Sequence, residues 1–316
     1  MPHSDPPTAP PSPTLAVVVP ATDAPPTLDR CVAAIRGSTL PPDELAVQRS
    51  PAGAGPGLAR NIGVAATRSE LIVFVDADVV VHPDALARIE SAFRDDPQLG
   101  ALFGSYDDRP AAPGAVSRFR NLLHHHVHTT SAGPAETFWA GLGAVRRDAF
   151  DAVGGFDARR FPVASIEDID LGMRLGVAGT PIRLDASIRG THLKRWSLAA
   201  MVRTDLLRRG VPWARLLLET QRPSRSLNLS PRHRASAVAA FGLAAAGVAR
   251  RPLAGGLAAV AIVALNRRFY GLLRRRGGFA LAAAGLPLHV VHHLTATAAL
   301  GLAALEHAVG GRGSGR

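Results

Sequence analysis

The sequence predicts an α/β protein with a mainly parallel sheet, followed by a C-terminal helical membrane segment. Three observations lead there. Up to about residue 105, apolar runs of strand length alternate with stretches at helical spacing. After Arg234 the composition turns to long uncharged stretches rich in alanine and glycine. Charge also divides along the chain. Residues 1–190 hold 17 Arg against 22 Asp+Glu, a net of −5; residues 191–316 hold 18 Arg, the only lysine and three acids, a net of +16. The 316 residues allow two domains, or one domain with an appendage.

Residues 1–14 carry six prolines and no apolar run, the composition of a disordered tail. They lack a basic start followed by an apolar stretch, so no cleavable signal peptide is expected. Residues 15–19 read as a buried strand ending at Pro20, and 27–36 as a helix. Gly57 opens a helical stretch through Ala66, residues 70–75 form a second apolar run, and 83–94 return to helical spacing. Periodicity breaks down between 105 and 135. Gly154-Gly155 mark a turn, and residues 167–175 read as a short helix.

Residues 235–249 and 252–265 are uncharged runs of 15 and 14 residues, separated by Arg250-Arg251. Residues 279–305 are 27 without a charge, long enough to span a bilayer, which takes about 20. The intervening stretch 266–276 carries five arginines, as befits a cytoplasmic face meeting anionic headgroups. The alternative is an Ala-rich helical bundle in water. The single cysteine, Cys31, excludes an internal disulfide framework and any Cys-rich metal site. Aromatics at 5% leave few platforms for stacking on single-stranded nucleic acid, so the net charge of +11 is not read as a nucleic-acid partner.

Chemistry is concentrated in a few motifs. Asp76-Ala77-Asp78 follows an apolar strand, where two carboxylates can share one Mg²⁺ or Mn²⁺ and its phosphate ligands. Open α/β sheets bind ligands at such strand ends, although Asp-X-Asp by itself also occurs in solvated loops. Arg60, in Gly57-Leu58-Ala59-Arg60-Asn61, could face a phosphate or lie on a helix surface. Glu167-Asp168-Ile169-Asp170 could match a helix dipole, or hold a carboxylate tuned as a general base by its neighbour.

Taken together, Val17-Val18-Val19-Pro20, Ala59-Arg60-Asn61, Asp76-Ala77-Asp78, Gly154-Gly155-Phe156-Asp157 and Glu167-Asp168 resemble family 2 glycosyltransferases of the GT-A fold, over residues 14–200. The stretches around Phe119–Asn121 and His192–Trp196 are similar to those of bacterial membrane-associated members. The resemblance implies a nucleotide-sugar donor held by Pro20, Ala21, Arg60, Asn61, Asp76, Ala77 and Asp78. It implies in-line displacement with inversion, Asp76 touching ribose or metal and Asp78 binding metal at the diphosphate. Asp168 would be the base, with Glu167 beside it. Trp139, Gly141, His124 and His125 fall where acceptor-side structure is expected.

Other positions stay open. His192 is a candidate third metal ligand or a structural histidine, and Lys194 and Arg195 could neutralise diphosphate. Asp23 is a candidate for base or ribose contact. Family members often close the second strand with an acid that helps bind the nucleobase. Residues 45–50 here have none, which leaves guanine, thymine or another base as open as uracil. The cluster His124-His125-His126-Val127-His128 places only His124 and His128 on one helix face, with no acid beside them, so it reads as structural or acceptor-facing.

The expected organisation is a tail (1–14), a GT-A domain (15–210), a basic interfacial linker (211–234), transmembrane or membrane-associated helices (235–305) and a flexible end (306–316). The expected acceptor is lipid-linked or another cell-envelope glycan, at the cytoplasmic face of a bacterial membrane with an anionic surface. Rivals are a membrane scaffold with a degenerate transferase domain, a nucleotidyltransferase, whose Gly-rich Arg-containing loop is missing at Pro20–Asp23, and a nucleic-acid binder inferred from charge alone.

Overall fold

The computed structural model describes residues 12–220 and 231–313, so most of the proline-rich tail and ten residues of the basic linker lie outside the described residues. The chain opens with β1 (Leu15–Pro20), α1 (Leu28–Arg36), β2 (Glu44–Gln48), α2 (Pro56–Ala65), β3 (Leu71–Val75), β4 (Val79–Val81) and α3 (Ala85–Asp95). Then come β5 (Ala101–Tyr106), α4 (Ala115–Thr130), β6 (Gly133–Pro134), β7 (Leu142–Arg146), α5 (Arg147–Ala152), α6 (Glu167–Val177) and β8 (Ile182–His192). A helical tract closes it: α7 (Leu198–Arg203), a π-helical run Thr204–Gly210, α8 (Val211–Thr220), α9 (Pro231–Val248), α10 (Pro252–Leu265) and α11 (Arg267–Gly313).

Seven strands lie in the order β2-β1-β3-β7-β5-β8-β4, with β6 also paired to β8. Strands β1, β2, β3, β5 and β8 run one way; β4, β6 and β7 oppose them. The central strands are apolar on both faces because both faces are covered. In β3, Leu71, Val73 and Val75 enter the layer packed by α1 and α3, whereas Ile72 and Phe74 enter the opposite layer with residues of α2, α5 and α6. The period of two therefore feeds two cores from one strand. Phe74 is fully buried among Phe138, Phe150 and Phe156, at ring-centroid distances of 6.3, 5.8 and 5.1 Å.

The region where periodicity fails contains a 16-residue helix, α4. Its pattern is hidden because it is wedged between β5 and α11, with Ser117, Asn121, His125, His126 and His128 buried beside Phe119 and Leu122. Polar residues occupy positions where an apolar stripe would normally announce the helix.

The helical tract docks on the lobe. Phe119 of α4 meets Phe269 edge-on at 5.5 Å and Arg276 Nε donates to Asp108 at 2.8 Å, while within the tract Arg215 of α8 pairs with Glu306 of α11 at 2.6 Å. Gly278 (φ +68) breaks α11 into two arms. Helical backbone continues to Gly313, through most of the segment expected as a flexible end. Residues Arg267–Val309 are long and apolar enough to cross a membrane by length and composition.

Phe74→Ala should lower the unfolding free energy by about 3–5 kcal/mol, read from the urea midpoint, because the cavity it leaves lies between two rigid layers.

Candidate active site

The site forms at the carboxyl ends of β1, β3 and β8 and the N-terminus of α6, around a cavity of about 1480 Å³. At its centre Arg60, buried on α2, reaches two carboxylates: Nη2 donates to Asp76 Oδ1 at 2.7 Å and Nη1 to Glu167 Oε1 at 3.0 Å. Arg60 is thus neither a surface residue nor free to move. The surrounding acids hold its guanidinium above its usual range against the opposing effect of burial.

Asp76 and Asp78 are set by their own backbones. Asp76 N–H donates to Gly141 O at 3.1 Å, and Leu193 N–H donates to Asp78 O at 2.8 Å. Burial raises Asp76 despite Arg60, and Asp78 adds to the rise. Burial also acts to raise Asp78, but the His192 contact together with Lys194 outweighs it and holds Asp78 low.

His192 is aimed from two sides. Its ring stacks on Tyr106 at 4.1 Å, and its Nδ1 lies 2.5 Å from Asn121 Oδ1. Its Nε2 is turned to Asp78 Oδ2 at 3.4 Å. A histidine oriented by a partner on one ring nitrogen, with the other facing a carboxylate, is a usual metal-ligand arrangement. Among the described residues, no three His, Cys, Asp or Glu side chains converge as a complete metal centre. Asp76 of the expected set is engaged by Arg60.

Glu167 and Asp168 separate in role. Both Glu167 oxygens are occupied, Oε1 by Arg60 and Oε2 by the Ser165 N–H at 2.8 Å. Asp168 is half-buried on the cavity wall and accepts the Ala140 N–H at 3.2 Å. Burial, then the Glu167 charge, push it up to about 6 against the pull of Arg60. A carboxylate titrating there is suited to accept a proton near neutrality.

Several expected site residues point elsewhere. Asn61 clamps the Phe156 backbone, donating to its O at 2.8 Å and accepting its N–H at 3.0 Å, so its amide braces the Gly155-Phe156 turn. His125 turns into the sheet toward Tyr106 O at 2.8 Å. His124 lines the cavity instead, its ring tilted against Trp139 at 4.6 Å and pushed well below the usual histidine range by burial. Ala21 is buried behind the wall, while Pro20, Asp23 and Ala77 line it. Gly141 serves by lacking a side chain, since a Cβ would meet the Trp139 ring at 2.4 Å. Lys194 reaches the cavity with Nζ 4.7 Å from the Trp196 ring centroid.

Sequence reading missed the far wall. Arg120 of α4 pairs with Asp205 of the π-helical run at 2.6 Å, and His292 of α11 contacts the same carboxylate at 3.2 Å. Against the effect of burial, Arg120 and His292 bring Asp205 down to about 2. An acid among arginines, Asp205 beside Arg203, Arg208 and Arg209, was the available signal in the sequence, and the structure puts it on a π-helical run, a form that gathers at functional sites.

The strand order and the carboxylates at strand ends define a nucleotide-sugar transferase fold. Residues 42–154, which contain Asp76 and Asp78, match the model of glycosyl transferase family 2. The chain has the GT-A fold, as its motifs implied, and over residues 42–154 it is similar to family 2 glycosyltransferases. It is similar in structure to the mannosyltransferase PcManGT from Pyrobaculum calidifontis, solved with GDP-Man and Mn²⁺. That match has a TM-score of 0.53 and 17% identity, over 91% of this chain and 87% of that one. Similarity to GalNAc-T7, solved with UDP, GalNAc and Mn²⁺, has a TM-score of 0.45 and 14% identity over 67% of this chain and 52% of that one. No curated protein matches the chain in sequence.

Arg60→Ala should cost about 3–5 kcal/mol in chemical denaturation, since it strands the buried Glu167 carboxylate and frees Asp76. Recovery of wild-type stability in Arg60→Ala,Glu167→Gln would assign that loss to the uncompensated charge.

Proposed function

We propose that the protein moves a sugar from a nucleoside-diphosphate donor to a hydroxyl of a lipid-linked or cell-envelope acceptor, with a divalent cation and inversion, at the cytoplasmic face of a bacterial membrane. The observation that supports it most is the placement of Asp168 at about 6 across one cavity from the Asp76–Asp78 pair. The donor occupies the end lined by Pro20, Asp23 and the carboxylates. Asp78 and His192, with Asp76 behind, would hold the cation, which neutralises charge on the departing diphosphate. Donor phosphates would have to complete its shell.

Asp168 takes the acceptor proton as the oxygen bonds to the anomeric carbon and the bond to the diphosphate breaks. Glu167 and Arg60 are positioning residues. They fix the start of α6 and so aim Asp168. The Trp139 ring, flanked by Tyr106 and His124, offers the sugar an apolar face.

Membrane association rests on the exposed apolar side chains of the helical tract, among them Val248 (88%), Leu253 (86%) and Phe279 (76%). The second arm of α11 carries Thr297 and Leu300 on the cavity wall and Ala299 against α8. A helix whose middle borders a water-filled site lies on a membrane more readily than across one.

Nucleoside diphosphates with Mn²⁺ should raise the melting temperature of the protein by mass action, and the most effective base identifies the donor. Asp78→Ala should abolish that shift with the fold intact; an unchanged shift would remove Asp78 from the cation site.

For turnover, kcat/KM should rise with pH through about 6 and level off above, because the base must be unprotonated to act. Asp168→Asn should lower kcat by about 10²–10⁴. Its melting temperature should hold or rise at pH 7, since a carboxylate raised by burial is a charge the fold disfavours.

A further inference from the structure

The cavity is larger than one small-molecule ligand requires, at about 1480 Å³ against roughly 300–1,000 Å³ for typical single sites. Its second half has a different chemistry from the first. The donor half is lined by carboxylates, whereas the half built by the π-helical run, α8, α9 and α11 presents Arg208, Arg209 and Arg234. Among the described residues these three guanidiniums have no ion-pair partner. The nearby acid, Asp205, is already held by Arg120 and His292. Arg209 lies close enough to Asp168 to lower its proton affinity, so the cationic patch adjoins the base.

Beyond the arginines the wall becomes apolar, through Leu217, Leu218, Ala237, Ala296 and Leu300. Leu300 is 55% exposed, and the helical tract carries further exposed apolar side chains at Leu302, Leu305 and Val238. Base, unneutralised cations and apolar exit follow one another in a single cavity. That sequence matches an amphiphile with a hydroxyl-bearing anionic headgroup.

We infer that Arg208, Arg209 and Arg234 form a phosphate site for the acceptor, and that the acceptor is a lipid phosphate or diphosphate. Its hydrocarbon leaves between α8 and α11, and a hydroxyl of a group carried on its phosphate is presented to Asp168. This rests on the transferase reading above and adds to it the acceptor's chemical class and its seat. Phosphate groups favour guanidinium because two parallel N–H donors match two oxygens.

The three tryptophans of the chain, Trp139, Trp196 and Trp213, all line this cavity, so intrinsic fluorescence reports its occupancy. The full-length protein is titrated with farnesyl phosphate, farnesol and inorganic phosphate. Farnesyl phosphate should give a saturable change with affinity at least about tenfold above either of the others. Arg209→Gln,Arg234→Gln should lose about tenfold for farnesyl phosphate only, and the matching double Lys variant should recover most of it. Leu300→Asp should erase the preference for farnesyl phosphate over inorganic phosphate.

The inference falls if no saturable response is seen, or if the double Gln variant binds as the wild type does. Equal affinity for inorganic and farnesyl phosphate also overturns it, for that is a site for a free anion. Stabilisation by nucleoside diphosphate with Mn²⁺, measured on the same wild-type sample, keeps the two readings separate. A protein that responds to nucleotide but not to farnesyl phosphate retains its donor site and loses this acceptor site.

Discussion

A single buried guanidinium organises this enzyme. Arg60 joins the end of β3, through Asp76, to the start of α6, through Glu167, two segments more than 90 residues apart in sequence. Burying a cation is costly unless it is paired, and here two carboxylates share the pairing. Its plane also lies over the Phe156 ring at 5.3 Å, while the next residue, Asn61, clips the Phe156 backbone. One turn of α2 therefore fixes Asp76 at the end of β3, the Gly155-Phe156 turn and the start of α6, where Asp168 stands. The proton affinity of Asp168 follows from the same arrangement. Burial and Glu167 raise it, Arg60 restrains it, and the balance falls near neutrality.

The helical tract depends on the catalytic lobe for a comparable reason. Alanine- and glycine-rich helices bury little apolar area each, so their packing is directed by specific polar contacts. Asp205 is held by Arg120 and His292, Asn266 donates to Ser236 at 2.8 Å, and Ser117 receives the Trp196 N–H at 2.8 Å. Two of these contacts pass through α4, which makes that helix the seam between lobe and tract. Because the seam borders the cavity, the helices form part of the active-site wall as well as an outer surface. Of the segment expected as a basic interfacial linker, residues 211–220 form α8, which lines the cavity, and 231–234 open α9.

Strand runs such as Leu71–Val75 were readable in the sequence because both faces of a covered strand are apolar and the carboxylates stand directly at its end. Asp168 was readable because its acidic motif opens a regular helix. Helix α4 escaped notice because buried histidines and Asn121 replace its apolar stripe, with His125 and His128 bonded to the carbonyls of Tyr106 and Gly104. No local pattern distinguishes His124, which lines the cavity, from His125, which does not. That depends on the angle at which the helix meets β5. Asn61 likewise sits in a donor-like motif yet serves the backbone of a segment 95 residues away, a partnership visible only once the chain is folded.

The net charge of +11 gains a physical meaning from where the acids of the basic half go. Residues 191–316 contain only Asp205, Glu219 and Glu306, and each is bonded to an arginine: Arg120, Arg160 and Arg215. Two of those partners belong to the acidic half, and Arg276 returns the exchange by binding Asp108. Two carboxylates of the basic half thus dock it to the lobe, the third joins α8 to α11, and none is left to neutralise its other arginines. That excess has to be met by anions from outside. Part of it faces the cavity through Arg208, Arg209 and Arg234, and part lies on the tract at Arg250, Arg251, Arg274 and Arg275. An anionic lipid surface and an anionic lipid headgroup would answer both at once, since one is the medium from which the other is drawn.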